Sequence, residues 1–238
     1  MAHNQTSGIP ASRAAIMLSF AETVRARRSF RAFKPEPVAE DLIRELLLDA
    51  QQAPSNCNTQ PWNMHVVSGA KRDELSRALH AANDARHLTP DFSWDEGGFR
   101  GRYDERRREQ GAIYYRNLGV TRDDHEARAR AASVNFSFFG APHVALLFMP
   151  LVGDGVRVAG DLGMYGQTFL LALASRKLGG VPQTVLGLHA QTVRDVLGIC
   201  DDFKLLYGIS FGHPDETAPA NRVRMGRDDL GQSVTFHT

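Results

Sequence analysis

The segment from Asp161 to Leu178 constrains this chain more than any other. It places Ala, Gly and Leu on nearly every side of a helix, leaving no broad polar face for water. A helix that is apolar all round must be covered all round, so it is the centre of a core or part of a subunit interface. At 238 residues the chain can bury such a helix within a single domain spanning 1–238.

The elements that could cover it are legible from spacing. Val38, Leu42, Ile43, Leu46, Leu47 and Ala50 make one buried stripe of a helix, with Pro35 and Pro37 before it and Pro54 behind. Asn63–Val67 reads as a short strand, and Leu75, Ala78, Leu79 and Ala82 mark a helix over 70–82. Two further helices are expected at 102–116 and 123–138. His143–Met149, bounded by Pro142 and Pro150, has the composition of a buried strand. A helix at 192–197, a strand at 205–211 and an extended ending at 233–236 follow. Without regular strand–helix alternation, these elements predict an α+β fold with about four or five strands, not a doubly wound one. Residues 84–101 mix Pro, Gly and aromatics and read as a long loop, whose aromatics either anchor it or line a pocket. Residues 1–15 read as a loose tail.

Charge and motif absences narrow the function. Lys plus Arg (28) nearly cancels Asp plus Glu (27), so no broad face for nucleic acid is implied. The two cysteines, Cys57 and Cys200, form no CxxC pair, which suits a reducing compartment. No apolar run is long enough for a membrane and the start lacks a secretory pattern, so a cytoplasmic protein with no membrane partner is expected. No Rossmann glycine fingerprint, P-loop, HExxH or GxSxG is present, and no metal site is expected. His65 and His143 sit in strand-like segments and read as packed or hydrogen-bonded groups.

Two segments carry chemistry. Arg27, Arg28, Ser29 and Arg31 surround Phe30 with guanidinium forks and a hydroxyl, a donor set that matches phosphate oxygens or, more plainly, a solvated basic turn. Ala53–Trp62 packs short polar side chains between two prolines. Such a rigid loop either caps its neighbours or reads the edge of a heterocycle or polyol. Cys57 has no base or charged partner in sequence that would make it a nucleophile.

Taken together, these stretches resemble the nitroreductase family of FMN-dependent enzymes, whose members carry R-[RH]-S-x-[RK] and then P-S-x-x-N-x-Q-P-W. The likeness continues through Asp161–Met164, Gln167, Gly179–Gln183, Gly208–Asp215 and Asn221–Arg227. Tyr103–Arg107 and Asn135–Pro142 look most like the nitrobenzoate and nitroarene reductases. The approach Lys177–Val181 departs from the family's usual glycine-leucine-glycine run.

The resemblance implies a mixed sheet flanked by helices in an intertwined homodimer, with FMN at the subunit boundary. Arg27 and Arg31 would hold the FMN phosphate, while Ser29 and Arg28 would meet the ribityl or pyrimidine side. Ser55, Asn56 and Asn58 would come from the partner subunit to the dimethylbenzene and ribityl region, and Pro54 and Gln60 are further cofactor-binding candidates. The backbone of Pro182 and Gln183 would lie near N5, and Arg227, with Arg224 as the alternative, would reach the phosphate. Catalysis would rest on the flavin, with NADH or NADPH as donor and a small electron-poor aromatic as acceptor, reduced from nitro through nitroso to hydroxylamine in ping-pong fashion. Trp94, Phe99, Tyr103, Phe136, Phe138 and Phe139 are candidate pocket walls, since aromatics stack on flat electron-poor rings. The 84–101 loop would lie near the active site. Arg100, Arg102, Arg106 and Arg107 are candidate partners for an anionic substrate. A quinone, flavin or enone reductase, an FMN-binding protein that does not cycle with nicotinamide, and a plain helical interaction module remain as alternatives.

Overall fold

The computed structural model describes residues 18–238, so the expected tail at 1–15 lies outside the described residues. In chain order the elements are α1 (Phe20–Ala26), α2 (Glu40–Ala50), β1 (Asn63–Ser68), α3 (Gly69–Asp84), α4 (Arg102–Asn117), α5 (His125–Ser133), β2 (His143–Pro150), α6 (Val156–Ser175), β3 (Gly179–Gln183), α7 (Ala190–Leu197) and β4 (Phe203–Gly212). The strands form one antiparallel sheet in the order β1-β2-β4-β3.

Strand β2 explains why its sequence is apolar without alternation: both faces of the sheet are covered there. Ala145, Leu147 and Met149 face a core shared with Ile43 and Leu46 of α2 and Leu162, Tyr165 and Phe169 of α6. Val144, Leu146 and Phe148 face a second core built from Leu75 and Leu79 of α3, Phe136, Phe138 and Phe139, and Val193 of α7. Helix α6 is thus central, as its composition predicts. It is not covered all round, however: Val156 is 67% exposed and Met164 41%.

The fourth strand is β3, not the chain's ending. Residues 234–238 form no regular structure here, and Phe236 is 79% exposed, because an extended segment without a neighbouring strand has no ladder to join. Strand β3 was not expected from the sequence, because Gly179 and Gly180 weaken a strand pattern. Both are required by packing: a Cβ on Gly179 would meet the Phe30 ring at 2.7 Å, and one on Gly180 would meet Leu170 at 2.8 Å. Helix α1 was equally unforeseen. Its signal is a capping box, in which Ser19 N–H donates to Glu22 Oε2 at 2.8 Å and Ser19 Oγ accepts from Glu22 N at 3.3 Å.

The helix expected over 123–138 stops at Ser133. A 3-10 segment, Val134–Gly140, follows, with Phe138 (φ 57) and Phe139 (φ 56) in the left-handed region. The strain is offset by burying three rings and by Arg72, which donates to Ser137 O at 2.7 Å and Ala141 O at 3.1 Å. Phe136, Phe138 and Phe139 are therefore core residues in this chain and not pocket walls.

Residues 84–101 contain only the short 3-10 turn Glu96–Gly98 between the end of α3 and the start of α4. The front of the loop is bolted down by Asp91, which takes two bonds from Arg194 of α7 (2.7 and 3.0 Å) and one from the backbone N–H of Leu205 (2.7 Å). Phe92 packs onto the first core, whereas Trp94 is 51% and Phe99 44% exposed. The anchoring reading thus holds for Phe92, while Trp94 and Phe99 stand open to solvent.

Candidate functional site

Ser29 bridges to Gly180 on the free edge of β3, with Phe30 N–H donating to Gly180 O at 3.3 Å. That contact brings the whole arginine turn alongside Pro182 and Gln183. The C-terminal region joins it through Asn221, a buried side chain that acts as a clamp. Its Oδ1 accepts from Arg31 N at 2.6 Å, and its Nδ2 donates to Ala32 O at 2.8 Å and to Asp215 O at 2.7 Å. Its own carbonyl accepts from the Arg28 guanidinium.

The result is a convergence of like charge. Burial lowers the pKa of Arg27 and the charge of Arg227 lowers it further; burial and then Arg224 do the same to Arg28, against a smaller opposing effect of Glu216. Arg31 is pulled down by burial, with the Tyr114 ring 5.1 Å from its guanidinium carbon. Among the described residues, none of Arg27, Arg31, Arg224 and Arg227 forms an ion pair with a carboxylate. Half-buried Arg27 and Arg31, with exposed Arg224 and Arg227 beside them and no paired carboxylate, form a site for an anion.

The second segment lies elsewhere. Residues 55–60 cross from α2 to β1, with Cys57 (φ 50), Asn58 (φ 55) and Gln60 (φ 47) in the left-handed region. Two hydrogen bonds hold this shape: Asn56 N–H to buried Asp161 at 3.1 Å, and Gln60 N–H to Ser55 Oγ at 2.9 Å. Trp62 closes the loop by stacking on Tyr165 of α6 at 4.7 Å and donating to Gln51 at 3.1 Å. Within one chain this loop lies at the β1 edge, while the arginine cradle lies at the β3 edge. Asp161 sits toward the start of α6 and Gly179 just beyond its end, so the helix separates them by about 20 Å.

A family profile, the Nitroreductase family, matches residues 24–213. The chain belongs to the nitroreductase family. It is 43% identical over 213 residues to nitroreductase NfnB of Mycolicibacterium smegmatis, covering 90% of each chain. It is 35% identical to a 4-nitrobenzoate reductase of Pseudomonas putida over 91% of this chain and 94% of that one. The crystal structure of FMN-dependent nitroreductase NfnB from Mycobacterium smegmatis in complex with NADPH superposes with a TM-score of 0.89, at 42% identity, over 92% of this chain and 97% of that one.

Against this nitroreductase frame, the structure brings Arg27, Arg28, Ser29, Arg31, Pro182, Gln183, Arg224 and Arg227 to one region. It leaves Pro54, Ser55, Asn56, Asn58 and Gln60 in the other. The residues present suit FMN: the unpaired guanidinium groups match a phosphate, and the exposed polar loop matches a polyol or ring edge. The Gln183 side chain turns inward, only 4% exposed, and its backbone pairs with Gly208 of β4, so the neighbouring Pro182 and Thr184 carry the backbone that can face a ligand.

Two residues were missed by sequence reasoning. Asn221, the clamp, stood only as the first residue of the matching Asn221–Arg227 run, with no role assigned, since nothing in sequence reports its partners. Thr184 follows from strand alternation: Gly180 faces outward, so Pro182 and Thr184 do too, and Pro182 has no N–H. The Thr184 N–H, at the start of the 3-10 helix Thr184–His189, is the next outward donor along β3. The proline in Val181–Pro182–Gln183 was the available signal.

Of the arginines considered for an anionic substrate, Arg102 donates to Gln232 O at 2.7 Å, Arg106 pairs with Asp228 and Arg107 with Asp104. Arg100 bonds the backbone carbonyls of Gly97 and Phe99. Buried His143 accepts from Val38 N–H at 2.9 Å through Nε2 and contacts Ser68 Oγ at 2.5 Å through Nδ1, a structural post.

Proposed function

We propose that this protein is an FMN-dependent NAD(P)H oxidoreductase that reduces nitroaromatic compounds from nitro through nitroso to hydroxylamine. The observation that carries the reading is the arginine cradle, in which Arg27, Arg31, Arg224 and Arg227 have no ion-paired carboxylate among the described residues, assembled from both ends of a chain 43% identical to a nitroreductase. When bound, FMN supplies hydride acceptance from the nicotinamide and two-electron delivery to the acceptor. Arg27, Arg31, Arg227 and Arg224 hold the phosphate dianion; Arg28 and Ser29 orient the polar edge beside it. The backbone after Pro182 faces the ring, and no side chain of the protein is required as an acid–base pair.

The active form is a homodimer. The polar loop of Pro54–Gln60 cannot reach the cradle of its own chain, so a second copy supplies it across the exposed flank of α6. The chain's ending, with Leu230 63% and Phe236 79% exposed, gains cover in the same assembly. Trp94 and Phe99 on the 84–101 loop and Tyr103 at the start of α4, the exposed members of the aromatic set, wall the acceptor site. A cytoplasmic setting follows from two unpaired, exposed cysteines.

The test is a spectrum of the purified protein, anaerobic addition of NADH or NADPH, and then an acceptor panel. A yellow protein bleached by a nicotinamide and reoxidised by nitrobenzoate is expected. Faster turnover of quinones, free flavin or activated alkenes would move the assignment within the same cofactor class. Flavin that no nicotinamide bleaches would remove the enzyme reading.

A further inference from the structure

Gln183 is buried, yet every polar atom of its amide is used. Its Nε2 donates to the Asn135 carbonyl at 2.9 Å and to Asn135 Oδ1 at 3.2 Å. Its Oε1 accepts from the hydroxyl of Ser210, a residue of β4 with no solvent exposure. These partners permit one orientation only: a flipped amide would set its oxygen against both Asn135 acceptors. The far anchor is also rigid, because Asn135 opens the segment that Arg72 pins and whose Ser137 Oγ contacts His80 at 2.8 Å.

The amide lies where a ligand-facing strand ends. The backbone of Gln183 pairs with Gly208 of β4, and the next residue, Thr184, turns its N–H to the open side. A side chain held at both polar atoms restrains the Cα that carries it, and with that Cα the adjoining Gln183–Thr184 peptide. A donor aimed at flavin N5 favours the oxidised ring, whose N5 accepts, over the reduced ring, whose N5 already carries hydrogen.

We infer that Ser210 and Asn135 are positioning residues of the flavin site: through the Gln183 amide they fix the outward N–H of Thr184 and thereby bias binding toward oxidised FMN. This rests on the FMN reading above. Loss of the Ser210 hydroxyl leaves a buried carbonyl unpaired and frees the amide to turn.

The experiment measures the midpoint potential of bound FMN, and its dissociation constant, in wild type, Ser210→Ala, Ser210→Thr and Asn135→Ala. Ser210→Ala is expected to weaken oxidised more than reduced FMN by about three- to tenfold, the worth of one net hydrogen bond. A tenfold bias is a positive shift of about 30 mV for a two-electron couple. Ser210→Thr restores the wild-type potential, and Asn135→Ala shifts it in the same direction by less, because the backbone acceptor remains. Should Ser210→Ala fail to fold, Asn135→Ala, at a half-buried position, gives the same readout. Unchanged potentials in variants that hold FMN, or a Thr variant that behaves as Ala does, would overturn the positioning role alone. A wild-type protein that takes up no FMN would overturn the cofactor reading and this inference with it.

Discussion

The cradle at the β3 edge and the loop at the β1 edge present polar groups to a ligand in opposite ways. The cradle is assembled from residues nearly 200 apart in sequence, since Arg31 N–H bonds Asn221 across 190 positions. Its backbone is clamped while its charges stay unmatched. The loop is local: strained left-handed residues are held by Ser55 and Asp161, and its side chains stand exposed. One region stores electrostatic tension and the other backbone tension. A phosphorylated flavin relieves the first, and a second subunit gives purpose to the second.

The largest expected effect comes from discharging the cradle. Arg27→Ala or Arg31→Ala should weaken FMN binding by about 10- to 100-fold, as expected for one charge-assisted hydrogen bond. Fluorescence titration checks this; an unchanged affinity would break the electrostatic half of the comparison. Asn221→Ala should cost about 2–4 kcal/mol in urea unfolding, because several buried groups lose their partner together, and should weaken FMN as well.

Mixing variants separates one chain from two. A cradle variant (Arg27→Ala with Arg31→Ala) and a loop variant (Ser55→Ala with Asn58→Ala) should each be poor alone. Co-expressed, they should recover about one quarter of wild-type sites, since half of random pairs are hybrids with one intact site. No recovery would mean that each chain completes its own site. By itself Ser55→Ala should have a smaller effect, about 1 kcal/mol of loop stability and a few-fold in FMN affinity.

The smallest effect concerns pH. Burial holds His65, His143 and His189 below the ordinary value of 6.5. Below that value the unfolded chain binds protons that the folded chain excludes, so stability is complete above about pH 6.5 and is lost as pH falls through the lowered folded-state values. A melting temperature that drops between about pH 7.5 and 5.5 is expected. His143→Gln should flatten the drop, since the Val38 N–H needs an acceptor that does not titrate.

Much of this fold was legible because its periodicities are strong. The stripe from Val38 to Ala50, the β2 run and the apolar α6 announced themselves, and the two arginine-bearing ends could be paired by motif. Strand β3 was not legible, since its glycines are there for close approach and weaken a strand pattern. The Phe136–Phe139 aromatics were misplaced for a related reason. A left-handed turn that buries three rings has the composition of a pocket wall. Asn221 was silent because a clamp is defined by its partners, none of which is near it in sequence.

What the amino-acid sequence determined on its own is whatever depends on neighbours within a turn or two: which segments are helices, which strand is buried on both faces, and which residues bring charge or polar edges. Only the tertiary structure decided that Asn221 clamps the backbone of Arg31 and Ala32, that Gln183 turns its side chain inward, and that the polar loop lies at the far edge from its own chain's cradle. Those outcomes depend on which edge of the sheet each segment joins, and edge choice is set by packing summed over the whole core.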